Sequence, residues 1–108
     1  MIFSVAREFT DTPGPRYRKQ GKFSGEEFRE LFLEPLFKQY MLSGTKIEID
    51  LDGVYGYPTS FLEEAFGGLV RKYHKHGILK RLKIVALEDE TIPGNIKKYV
   101  EEAEANDK

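Results

Sequence analysis

Between Lys46 and Leu51 apolar and polar residues alternate strictly, with Ile47, Ile49 and Leu51 set against Lys46, Glu48 and Asp50. A period of two is that of a strand with one covered face. Further on the period changes. Phe61, Leu62, Ala65, Phe66, Leu69, Val70 and Tyr73 fill one half of a helical wheel, which predicts a helix from Thr59 or Ser60 to about His76, stopped by Gly77. An earlier helix is announced by Ser24, a capping residue with Glu27 three positions on. Phe28, Leu31, Phe32, Leu36 and Tyr40 follow at helical spacing, and Gly44 closes the element. Pro35 lies inside it and predicts a kink or restart near Leu33–Glu34, because proline has no N–H and clashes one turn back.

Ile2 to Phe9 is mostly apolar and reads as a first strand, broken by Thr12-Pro13-Gly14-Pro15. Arg16 to Lys22 is either a loop or a short strand. Arg81 to Leu87 reads as another strand. Thr91 and Pro93 open a last helix with a stripe of Ile92, Ile96, Tyr99, Val100 and Ala103, and residues 104–108 are expected to fray. Strands alternating with helices argue for an α/β domain in two layers, a mixed sheet of about four strands carrying three helices.

The chain has 108 residues, enough for one domain and one core. Its formal net charge is −1, so no global field draws it to nucleic acid or to a membrane, and there is no cysteine to build a disulfide framework or a thiolate zinc site. No apolar run approaches a membrane span. MIFSVAREF puts no basic segment before its short apolar stretch, so a signal peptide is not expected and a cytoplasmic location is.

Asp50-Leu51-Asp52-Gly53-Val54 looks like the nucleophile strand of a haloacid-dehalogenase-type phosphatase. Phosphoryl transfer needs a whole electrostatic cradle around such a pair. The residues after Asp52 supply one further strand, and a strand and a long helix precede this one. We therefore expect solvent-side acids and turn chemistry here, and no enzyme.

Glu63, Glu64, Gly67, Gly68 and Arg71 lie opposite the apolar half of the second helix. Two glycines inside a helix cost about 1 kcal/mol each relative to alanine, which close packing would offset. The alternative is that Gly67 leaves a low outer face where a partner approaches closely. That places a partner-binding surface on Tyr57, Thr59, Ser60, Glu63, Glu64, Gly67 and Arg71. Ser60, at the helix start, suits capping, and also a phosphate, which would meet free backbone donors there.

IDLDGVYGYPTS resembles the strand, turn and hydroxyl pair of STAS domains, known from bacterial anti-sigma factor antagonists. In those proteins a serine at this place is phosphorylated by a partner kinase of the histidine-kinase-like ATPase type. The resemblance puts Ser60 at the acceptor position and implies such an ATPase as partner. The chain differs in carrying Pro58 before the hydroxyl pair and Phe61-Leu62 after it. TPGPRYRKQGKFSGEEFRE and IDLDGVYGYPTSFLEEAFGGLVRK look closer still to the STAS-like domain family of unknown function, from about Thr12 to Lys72. That resemblance implies a STAS-like α/β fold and no settled activity; taken with the two-glycine outer face, it makes a STAS-like regulatory interaction module the first hypothesis.

The second hypothesis is a small anion- or nucleotide-binding domain that uses the Arg16 loop and the helix start at Ser60. Arg16, Arg18 and Lys19, with Tyr17 among them, form a basic aromatic patch on a Pro-Gly-Pro loop. One short patch on a slightly acidic domain argues against nucleic acid. His74 and His76 point apart on a helix and are not expected to share a metal. No cofactor is expected, and a homo-oligomer is left open.

Overall fold

The computed structural model describes residues 2–44, 46–74 and 76–107, with the backbone alone for residues 40–43. Among these residues there are three strands and four helical stretches. Strand β1 is Ile2–Ser4 and runs into a single helical turn, α1, at Val5–Glu8. Helix α2 is continuous through Gly25–Phe28, a widened π turn at Arg29–Leu33, and Glu34–Ser43. Strand β2 is Ile47–Asp50. Helix α3 runs through Thr59–Leu62, a second π turn at Glu63–Gly67, and Gly68–Tyr73. Strand β3 is Leu82–Val85 and helix α4 is Thr91–Asn106.

The sheet has three strands in the order β1-β2-β3, and both pairings are parallel. This corrects the expected four-stranded mixed sheet. The Arg16–Lys22 segment is a loop with a short 3-10 turn at Arg18–Gln20, and the apolar run after Ile2 turns helical at Val5. Ser4 is responsible for that turn. Its Oγ accepts the Arg7 N–H at 3.3 Å, and Glu8 Oε2 reaches back to the Ser4 N–H at 2.7 Å. Local capping thus ends the strand early.

Strands laid down in sequential order and joined by right-handed crossovers carry their helices over one face of the sheet. Phe3, Ile47, Ile49 and Leu82 are buried beneath that layer, whereas on the other face Ile2 is 63% exposed and an exposed Lys83 pairs with Glu48 at 3.5 Å. Parallel sheets are ordinarily covered on both sides. Helix α3 lies at the centre of the layer, between α2 and α4. The core is aromatic: Phe28 stacks on Phe61 with ring centroids 5.7 Å apart and meets Phe66 edge-on at 6.4 Å.

Pro35 acts as expected, with a physical detail added. It has no N–H to give, and the widened turn before it absorbs the missing bond. That turn inserts a residue into the helical phase. Leu31, expected on the buried stripe, is therefore 50% exposed, and Leu33 and Phe37 are buried in its place. The expectation for Tyr40 falls outside the described side chains. Ser24 caps α2 as predicted, accepting from Glu27 N–H at 3.0 Å. Glu90 holds the capping position of α4 without a side-chain bond, Asp89 Oδ1 accepts the Thr91 N–H at 3.0 Å just ahead of it, and Thr91 is a helical residue and not a cap. The helix continues past Glu104, where fraying was expected, to Asn106.

Candidate functional site

The polar side of α3 is not an open surface. Glu64 is 6% exposed, and Gly67 and Gly68 are buried. Three arginines from three parts of the chain converge there. Arg29, on α2, donates Nη1 to the Glu64 carboxylate and to the Glu64 carbonyl at 3.0 Å, and Nε to Glu34 at 3.0 Å. Arg71, two turns along α3, holds both oxygens of Glu63 at 2.7 and 3.1 Å and lies 3.5 Å from Glu64. Arg16 reaches Glu63 at 2.5 Å and lies 3.7 Å from Glu64.

Arg16 is placed by backbone bonds. The Gly14 N–H donates to the Phe23 carbonyl at 2.8 Å, and the Gly25 and Glu26 N–H groups at the head of α2 donate to the Pro15 and Arg16 carbonyls at 2.9 and 3.0 Å. The Pro-Gly-Pro loop is thus stitched to α2 and delivers its guanidinium to α3.

The glycine pair now has its explanation. A Cβ on Gly68 would run into the Arg29 guanidinium, and one on Gly67 into the Glu63 carboxylate and, at 3.3 Å, Arg71 Nη1. The helix lacks side chains here because the ion network lies flat against it. Gly67 therefore leaves no low face for a partner, and Glu64 is covered, which corrects both expectations. The Glu64 carbonyl, in the π turn, is one of the acceptors Arg29 uses.

Charge balance shows in the protonation equilibria. Burial works to raise the Glu63 carboxyl, but hydrogen bonds from Arg71 and Arg16 outweigh it and hold the pKa below the ordinary carboxylate range. Burial likewise opposes the charged form of Arg29, and the bonds to Glu64 and Glu34 more than offset it.

What remains accessible of the expected partner surface is its start. Thr59 is exposed, Ser60 and Tyr57 are half-buried, and Arg71 is exposed at the far end. Pro58 occupies the capping position of α3, and no side chain caps its first turn. Thr59 and Ser60 are helical residues, not caps. Tyr57 is a peg: its phenol donates to the Leu51 carbonyl at 2.9 Å. Burial first, then the charges of Asp50, Asp52 and Glu88, push its pKa well above the ordinary value.

The expected anion patch is divided. Arg16 is taken by Glu63. Arg18 Nε pairs with Glu30 at 2.7 Å, and its N–H donates to Glu26 at 2.9 Å. Lys19 is exposed, 5.8 Å from the Tyr17 ring.

At the carboxyl ends of β2 and β3 the acids face backbone. Asp50 Oδ1 accepts the Asp52 N–H at 3.0 Å. The two Asp52 oxygens accept the N–H groups of Leu87 and Glu88 at 3.0 and 2.9 Å. Glu88 in turn accepts from Gly53 N–H at 2.5 Å. Asp-Leu-Asp-Gly is a turn strapped to the β3 loop.

The two histidines depart from the sequence reading in geometry. Helix α3 ends at Tyr73, and His74 takes a left-handed conformation, φ 53°. The rings consequently converge: His74 Nδ1 lies 2.6 Å from Asp107 Oδ1, and His76 Nε2 lies 3.5 Å from Oδ2. The hydrogen bond from His74 leads the causes that lower the Asp107 pKa. Among the described residues no group of three or more His, Cys, Asp or Glu side chains has the arrangement of a metal site. Also among them, no helix is long and apolar enough to cross a membrane.

Sequence reasoning missed Arg29, Glu34 and Asp107. One signal for Arg29 was available: a guanidinium set among Phe28, Phe32 and Leu33 needs a buried acid.

No curated protein and no solved structure matches the chain. A family model described as a STAS-like domain of unknown function matches residues 24–91, from the cap of α2 to the start of α4. With more than half its length matched, over the segment that holds Arg29, Glu34, Glu63, Glu64 and Arg71 but not Arg16, the chain belongs to that STAS-like family.

Proposed function

We propose that this chain is a non-catalytic regulatory module that docks a protein partner at the head of α3. The contact surface is Thr59, Ser60 and the exposed side of Tyr57, with Arg71 and Glu63 along its flank. Its state is set by phosphorylation of Ser60, and the partner is a kinase of the histidine-kinase-like ATPase type.

The observation that carries this reading is the open first turn of α3. Pro58 supplies no hydroxyl to it, and the two hydroxyl residues of that turn are accessible or half so. A phosphate there would find backbone donors and the positive end of the helix dipole. The ion network behind it fixes α3 against α2 and the Arg16 loop, so a partner meets a preformed surface. The acids at the strand ends are engaged by backbone N–H groups, which supports an interaction role over a catalytic one.

The test is to incubate the full chain with a purified histidine-kinase-like ATPase and ATP, and to map phosphate by mass spectrometry. Modification at Ser60, lost in Ser60→Ala and with binding weakened about tenfold by Thr59→Lys, supports the reading. A complex untouched by Thr59→Lys and Arg71→Glu sinks the docking face. A nucleotide panel that raises the melting temperature, with the gain abolished by Arg16→Ala, would support an anion-binding domain in its place. Such a ligand would have to displace Glu63 from Arg16.

A further inference from the structure

Strand β3 closes one end of the sheet, paired only to β2 among the described residues. The Arg81 and Val85 carbonyls accept from Ile47 and Leu51 N–H groups on the β2 side. Backbone groups alternate in direction along a strand, so Leu82, Ile84 and Ala86 turn theirs to the free edge. The side chains there are apolar. An open groove of about 690 Å³ starts at Glu48 of β2, runs along Lys83 to Leu87 and reaches Glu90 and Pro93. Leu87 is 84% exposed, and Tyr55, on the neighbouring loop, 87%. Lys83, the residue that would guard such an edge, leans across the sheet to Glu48 at 3.5 Å.

The β1 edge is different. It is three residues long, and Glu8 already takes the Ser4 N–H.

The sequence around β3 is polarised. Lys80, Arg81 and Lys83 precede its apolar centre, and Glu88, Asp89 and Glu90 follow it. A strand with a basic head and an acidic tail is complementary to itself when turned end for end. We propose that β3 is a dimerisation edge. Two copies of this chain pair their β3 strands antiparallel about a two-fold axis, joining two three-stranded sheets into one of six. The apolar run Ile84–Leu87 meets its own copy at the centre, and the basic head of each strand faces the acidic tail of the other. The interface is isologous, so each charge contact occurs twice. This surface is separate from the head of α3.

The experiment is sedimentation of the full chain across the micromolar range, at low and high salt, with circular dichroism to show that each variant folds. The expected result is a dimer that dissociates on dilution and is weakened by salt. Leu87→Lys, at a side chain exposed in the monomer, weakens association about tenfold or more. Glu90→Lys and Lys80→Glu each set like charges against one another at both ends and weaken association, whereas the double variant recovers it. A chain that stays monomeric at every concentration overturns the proposal. So does a dimer indifferent to Leu87→Lys. A dimer that the double reversal fails to restore overturns the antiparallel alignment.

Discussion

Two acidic clusters stand within one small domain and are neutralised in opposite ways. At the carboxyl ends of β2 and β3, Asp50, Asp52 and Glu88 accept hydrogen bonds from main-chain N–H groups, and two of these three acids are only half-covered. On α3, Glu63 and Glu64 are held by three guanidinium groups, with Glu64 buried. The first arrangement is partly local. Asp50 binds two residues away, as turn acids do, and Asp52 straps one loop to the next. The second joins residues 35 and 47 positions apart. The reach is similar, since Asp52 and Glu88 bind 35 and 36 positions away; the difference in consequence comes from burial and from the charge of the partner. Losing a half-exposed acid at a turn releases backbone N–H groups that water can serve, whereas losing Arg29 of α2 strands the Glu64 charge in the interior.

That contrast can be broken most severely at Arg29. Arg29→Met should cost about 3–5 kcal/mol in urea unfolding, because Glu64 is left buried without its main partner. Adding Glu64→Leu should recover most of the loss, since a packed apolar pair of similar volume replaces the ions. If Arg29→Met is nearly neutral, the buried network does not hold the helices together.

The glycines sharpen the same point at lower cost. Gly68→Ala should destabilise by about 1–3 kcal/mol, since its Cβ meets the fixed, buried Arg29 side chain. Gly67→Ala should be near neutral. Its Cβ meets the tip of the Glu63 side chain, which can swing aside, and alanine returns about 1 kcal/mol of helix propensity. Equal losses in thermal melts would show that helix packing, and not the guanidinium, demands both glycines.

At the other cluster, Asp52→Ala should cost only about 1 kcal/mol, the net worth of a pair of half-exposed hydrogen bonds. Faster amide exchange at Leu87 and Glu88 should accompany it. A loss as large as that at Arg29 would erase the distinction between the clusters.

The smallest effect is in acid. Glu63 has a lowered pKa when folded, so the unfolded chain takes up its proton first as the pH falls. The stability it contributes is whole above the ordinary carboxylate range and drains away as pH drops through that range to the lowered folded value. Partial exposure of the Arg71 pair keeps the contribution modest. Glu63→Gln should flatten the pH dependence of urea midpoints in that window and leave it unchanged near neutrality.

Much of the scaffold was legible in the chain. Strict alternation located β2, and helical spacing located α3 and α4. Ser24 with Glu27 marked the head of α2, and Pro35 marked its irregular turn. These are signals that residues send to neighbours a few positions away. Where the reading slipped, a local competitor had intervened. Ser4 and Glu8 turned an apolar run into a helical turn, and the π turn rotated Leu31 out of the core. The candidate site was less legible. On a helical wheel Glu63, Glu64, Gly67 and Arg71 form a polar stripe, and a polar stripe is ordinarily solvated. Nothing nearby in sequence states that Arg16 and Arg29 will come to cover it.

By itself, then, the order of residues determined the alternation of strand and helix after residue 24, the family's segment, and the places where α2, α3 and α4 begin. Only the tertiary structure decided that the sheet is wholly parallel with one bare face, that the polar side of α3 is interior, and that two histidines meet at Asp107. The reason is distance along the chain. Periodicity and capping act within a turn or two, whereas pairing a buried charge depends on which remote segment the fold brings within hydrogen-bond reach.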